Sequence, residues 1–112
     1  MSKLSVRTYS RYSGEAVRLL GKMIRSGRKE RGLTTQDLAD RAGVSRSMLQ
    51  RIERGVPTVG IGSVFEVAAI VGVKLFDADG RGLERLSRQV DDRLALLPKS
   101  VRSRDREVID DF

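Results

Sequence analysis

Arg46, Ser47, Gln50, Arg51 and Arg54 are the residues of this sequence whose types and spacing suit a definite chemistry. Their intervals of one, three and four put them on one side of a helix. A guanidinium fork matches the O6 and N7 edge of guanine, and a carboxamide matches N6 and N7 of adenine, so the set suits the major groove of duplex DNA. The competing reading is a solvated helix face. Such a face normally mixes both signs, and this one is nearly free of acid.

Two short helices and one turn are needed to present that face. Leu38, Ala39 and Ala42 recur at helical spacing before Gly43, and Val44, Met48, Leu49 and Ile52 do so after it. Each segment thus has one apolar stripe, and a three-residue connection lets the two stripes bury together only if the helices cross steeply, which is helix-turn-helix geometry. Gly43 supplies the positive φ of the turn, Val44 fills the corner, and the Ser45 hydroxyl caps the second helix.

The residues Leu33-Thr34-Thr35-Gln36-Asp37-Leu38-Ala39, then Ala42-Gly43-Val44-Ser45, then Leu49-Gln50-Arg51-Ile52-Glu53-Arg54-Gly55 resemble the phage Cro/C1-repressor (XRE-type) DNA-binding domain. The likeness runs from about Leu20 to about Leu75. It departs from the family pattern in having Thr35 directly after the first Thr, with Gln36 one step later. The resemblance implies an all-α, lambda-repressor-like domain of four to five helices. It implies base contacts from Arg46, Ser47, Gln50 and Arg51, and phosphate contacts from Thr35, Gln36, Arg41, Ser45 and Arg54. It also implies a partly buried ion pair between Arg28 and Glu53.

Composition agrees with this partner class. In 112 residues, 39% are hydrophobic and 4% aromatic, with no Trp, so a small core of Leu, Val, Ile and Ala is expected. No Cys and no His means no disulfide, thiol nucleophile, zinc-finger ligand set or imidazole base. No cofactor or metal is expected. The net charge of +7 is uneven: residues 1–58 hold 13 basic and 5 acidic residues, and residues 59–112 hold 9 and 10. The basic half suits a polyanion such as DNA. No apolar run reaches membrane-spanning length and no hydrophobic signal core opens the chain, so the expected location is the cytoplasm.

Residues 1–13 read as an N-terminal arm, either without order, or reaching phosphate or the minor groove through Arg7 and Arg11, or packing through Tyr9 and Tyr12. Residues 14–77 read as the DNA-binding domain. Ser13 is the expected cap of a first helix whose line Val17, Leu20, Ile24 and Arg28 ends at Gly32. Thr34 or Thr35 caps the second helix. After Pro57, a fourth helix from about Ile61 to Val71 should turn Ile61, Val64, Val67, Ala68 and Val71 inward, and the amides of Gly60, Ile61 and Gly62 suit either a phosphate or a plain helix end. Val73, Lys74, Leu75 and Phe76 alternate as a strand does, and with no partner segment in the chain the expectation is antiparallel pairing with the same strand of a second subunit. The alternative is a merely extended helix end. Residues 78–98 form a C-terminal helix whose face Leu83, Leu86, Val90, Leu94 and Leu97 suits its own domain or a dimer. Residues 99–112 read as a flexible tail, its close Val108-Ile109-Asp110-Asp111-Phe112 being either a docking peptide or a frayed end.

The function that follows is a sequence-specific DNA-binding repressor acting as a homodimer, with recognition helices about 34 Å apart along the duplex. Arg46 and Arg51 are expected to discriminate bases, each good Arg–guanine pair contributing about 1 to 3 kcal/mol. The order of arm, Arg-Thr-Tyr-Ser, four helices, Val-Lys-Leu-Phe-Asp and loose tail also resembles the antitoxins that accompany Hip-type kinase toxins, implying autoregulation of an operon and a kinase-like toxin as protein partner. A stand-alone dimeric regulator is the alternative. An enzyme is the poorest reading, since the adjacent Asp91-Asp92 and Asp110-Asp111 diverge by about 100° on a helix and no Gly-rich phosphate loop is present.

Overall fold

The computed structural model describes residues 8–103. Lys3 and Arg7 of the arm and the closing segment 108–112 lie outside the described residues. Five helices are formed, and among the described residues there is no strand. The chain divides between Asp77 and Ala78 into two compact units.

In the first unit, α1 spans Arg11–Glu30. Its cap is Ser10 rather than Ser13: the Ser10 Oγ accepts from the Ser13 amide at 3.1 Å. The helix therefore begins inside the stretch expected to be arm, taking in Arg11 and Tyr12. Leu33 N–H closes the far end onto Arg28 O at 3.1 Å, and Leu33 folds back half-buried. Helix α2, Thr35–Ala42, opens with a reciprocal capping box: Thr34 Oγ1 accepts from the Asp37 amide and Asp37 Oδ2 accepts from the Thr34 amide, both at 3.0 Å. Gly43 ends it at φ 70°, the left-handed backbone the sequence requires there, and Val44 donates back to Ala39 O at 3.0 Å. Helix α3, Arg46–Arg54, is capped by Ser45, whose Oγ accepts from the Met48 amide at 2.9 Å.

Helix α4 spans Ile61–Ile70. With α1, α2 and α3 it closes a core of Ile24, Leu38, Ala39, Leu49, Ile52, Val67, Ala68 and Val71. Full burial of a side chain such as Ile24, Leu38, Leu49 or Val67 contributes about 1.5 to 3 kcal/mol. Ile61, expected inward, is 74% exposed. It stands at the first position of α4, in the same i, i+4 row as exposed Phe65, outside the packed part of the stripe.

The expected strand at Val73–Phe76 is not formed within the chain. The Val73 amide is used to close α4 onto Ala68 O at 2.8 Å, and the chain then bends, with Asp77 at φ 52°. The alternation nonetheless sorts the side chains: Val73 and Leu75 pack against the core, and Lys74 and Phe76 are exposed. Phe76 stacks on Phe65, ring centroids 6.0 Å apart and planes within 7°.

The second unit contains α5, Gly80–Ala95, capped by Asp79, whose Oδ1 accepts from the Gly82 amide at 2.8 Å. Leu83, Leu86, Val90 and Leu94 follow one face of it. Leu97, expected on the same face, lies beyond the C-cap Leu96 in a turn, where its amide donates to Leu94 O at 3.1 Å. No helix among the described residues is long and apolar enough to cross a membrane.

Candidate nucleic-acid interface

The position of α3 is set by two contacts with α1. A Cβ on Gly21 would lie 2.6 Å from the Ile52 carbonyl oxygen and 2.7 Å from that of Glu53, so the two backbones meet there with no room for any side chain. About two turns further along α1, Arg28 donates from Nε to Glu53 Oε2 at 2.7 Å and from Nη2 to Oε1 at 3.1 Å, while Nη1 donates to Leu33 O at 3.0 Å. The hydrogen bonds that Arg28 donates to Glu53 raise the Arg28 pKa above its already high ordinary value, against the desolvation of the site. Arg28 thus holds α1, the entry to α2 and the end of α3 in one network. Its side chain is committed to this pair, as the resemblance implied.

On the outer side of α3, Arg46, Ser47 and Gln50 are exposed, side by side across its first turns. Arg51 is placed differently. It is half-buried, its Nη2 lies 3.7 Å from Met48 Sδ, and its Nε is buried with no hydrogen-bond partner. Of the two arginines expected to discriminate bases, Arg46 is presented outward and Arg51 lies along its own helix.

The residues expected at phosphates fall into three groups. Arg41 in the last turn of α2 and Arg54 in the last turn of α3 are exposed and have no ion-pair partner among the described residues. Ser45 is exposed, with its hydroxyl engaged in the α3 cap. Thr35 is half-buried at the first position of α2, whereas Gln36 is exposed and its Nε2 donates to Asp40 Oδ1 at 2.8 Å. Behind this, Gly60 opens α4 with no side-chain cap and with open space where a Cβ would stand.

A cleft brings together Arg25, Arg28, Thr35, Gln50, Glu53 and Arg54. Because Arg28 is neutralised by Glu53, the uncompensated cations lining it are Arg54 and Arg25. The reading of the sequence missed Arg25. The signal was present: Arg25 precedes Arg28 by three residues, so it shares the side of α1 that faces α3.

Residues 24–77 match a protein-family model described as helix-turn-helix. The HTH-type transcriptional regulator SlrR of Bacillus subtilis (strain 168) is 38% identical over 73 residues, covering 62% of this chain and 48% of that protein. The chain therefore spans about half the length of the curated relative it matches. A chain in a solved SinR protein/SinI protein complex is 30% identical, covering 71% of this chain and 84% of that chain, with a TM-score of 0.44. The stretch matched by the helix-turn-helix family model, residues 24–77, takes in the last turns of α1 and all of α2, α3 and α4 with the Gly43 turn between α2 and α3.

Proposed function

We propose that this chain is a sequence-specific, double-stranded-DNA-binding transcription repressor acting as a homodimer. The observation that carries this reading is the outer face of α3. Arg46, Ser47 and Gln50 are exposed on a helix clamped to α1 by the Gly21 approach and the Arg28–Glu53 pair, so base-reading donors stand on a rigid element. Arg41 and Arg54, with Thr35, Gln36 and Ser45, hold the phosphates on either side, and Arg51 joins the base contacts by leaving Met48. The matched relative is itself a transcriptional regulator.

The dimer reading draws on Val73, Lys74, Leu75 and Phe76. Within the chain Lys74, Leu75 and Phe76 take no part in the backbone hydrogen bonds that close the neighbouring turns, so a second copy would find their amides and carbonyls available for an antiparallel ribbon. A finer reading, an antitoxin with a Hip-type kinase toxin as protein partner, stands on likeness of segment order alone. Recovery of a stoichiometric kinase from the native host is the test of it.

Selection from random duplexes, followed by two substitutions, tests the DNA reading. Arg46→Ala should relax the selected base preference, and Arg41→Ala should weaken binding to all duplexes alike. Retention of both affinity and preference in both variants would show that α3 is not the reading helix.

A further inference from the structure

Four cations of α1 stand in one line. Arg18, Lys22, Arg25 and Lys29 follow one another at intervals of four, three and four, so at about 100° per residue they fall within a wedge of about 60°, and each is exposed. None of them has an ion-pair partner among the described residues. The two carboxylates of the helix do not balance the line: Glu15 lies against Arg11 at 3.5 Å, and Glu30 stands about 100° round the helix from Lys29. A solvated helix face sets opposite charges three or four residues apart. Here Arg18 and Lys22, Lys22 and Arg25, and Arg25 and Lys29 are like pairs at those spacings, which destabilise a helix until an anionic partner relieves them.

The line is continuous with the cleft at the end of α3. Arg25 lines that cleft beside Thr35, Gln50 and Arg54. A Cβ on Gly55 would lie 2.7 Å from the Arg18 Cα, so the backbone just past Arg54 rests on the turn of α1 that carries Arg18. We infer that Arg18, Lys22 and Lys29 extend the cleft of Arg25 and Arg54 into a phosphate track, a stretch of DNA-backbone interface that lies along α1 and reads no bases. From Arg18 to Lys29 the track is about 17 Å long, the rise of about five base pairs at 3.4 Å each. Contacts of this kind fix register and add affinity without sequence information. An acidic protein is the other polyanion such a line could meet; the cleft shared with α3 favours DNA. The inference rests on the DNA reading of α3 and not on dimerisation.

Arg18→Gln, Lys22→Gln and Lys29→Gln, made together in the full-length chain, remove three charges, keep good helix formers in place and leave Arg25 untouched. On the duplex that the parent selects, the slope of log K against log salt should fall in magnitude by about 0.9 for each contact, about 2.7 in all. The base preference should not change, and ethylation interference should show phosphates that matter to the parent and not to the variant. Arg18→Lys, Lys22→Arg and Lys29→Arg, which keep every charge, should keep the parent's slope and its pattern of phosphates. Lys22→Gln alone should lower the slope by about 0.9, and it carries the test should the triple chain lose its helical circular dichroism. A fall of less than about 0.9 in the folded triple chain, or an interference pattern identical to the parent's, overturns the inference. An unchanged duplex slope beside lost binding to polyglutamate overturns it too, and gives the line to an acidic protein. A parent chain that selects no duplex ends the DNA reading and this inference together, whereas selection that depends on Arg46 beside an unchanged slope ends this inference alone.

Discussion

Arg28 and Glu53 form a two-pronged ion pair, 2.7 Å and 3.1 Å long, with side chains only 11% and 10% exposed. Since each partner is nearly removed from water, the loss of one leaves the other charged and poorly hydrated. Arg28→Met or Glu53→Met alone should cost about 3 kcal/mol of folding stability. The double variant, which leaves no orphan charge, should cost clearly less than the sum. Urea unfolding of the four chains measures this coupling directly.

A second expectation concerns two of the three glycines of α1, those at positions 14 and 21. Gly21 has rigid carbonyl oxygens of α3 where a methyl would go, so Gly21→Ala must push α3 away and should destabilise by about 1 to 3 kcal/mol. A methyl on Gly14 would meet only the tip of the Arg18 side chain at 3.4 Å. Gly14→Ala should therefore stabilise by about 0.5 to 1 kcal/mol, because alanine loses less backbone freedom on entering a helix. Thermal melts of the two variants should shift in opposite directions.

The contrast shows where the sequence was legible. Leu38, Leu49, Ile52 and Val67 sit in strong helical stripes, Gly43 in a turn that only a positive φ closes, and Ser45 just ahead of a helix; each of these local rules was met. The rule misled where competing local signals were equally good: Ser10 and Ser13 are both N-cap residues, and the earlier one won because Arg11 and Tyr12 are compatible with helix. Alternation at Val73–Phe76 correctly told inward from outward, but a strand is defined by a neighbour's backbone, which local pattern does not contain. Gly21 was illegible for a related reason, since its meaning lies in the carbonyls of residues more than thirty positions away.

Asp37 gives a pH expectation. Its carboxyl is held below the ordinary value of 3.8, first by the Thr34 backbone amide, next by the Thr34 side chain, and less by the charge of Arg41. A folded value below the unfolded one favours folding where the carboxylate is ionised in both states, and that contribution is lost as pH falls from about 4 through the lower folded value. Asp37→Ala should therefore unfold at lower urea than the parent chain near pH 7, and the gap should narrow toward pH 3. A gap that stays constant with pH would show that the carboxylate charge has no part in the cap.

Arg25 was legible through its spacing of three from Arg28 but was missed as an interface residue, and it supplies a test that separates phosphate from base contacts. It lines the cleft with Thr35, Gln50 and Arg54, and its charge is not compensated by the Arg28–Glu53 pair beside it. On the proposed function, the Arg25 guanidinium set against a phosphate in that cleft would displace a condensed counterion from the duplex. Arg25→Ala should then lower affinity for every duplex and reduce the slope of log K against log salt by about 0.9 in magnitude. Gln50→Ala, at the α3 side of the same cleft, should instead alter which sequences are bound and leave the slope nearly unchanged. Binding titrations at several salt concentrations, on a selected and a scrambled duplex, distinguish the two. An Arg25→Ala chain with an unchanged slope would place the phosphate backbone away from the cleft and against Arg41 and the open start of α4.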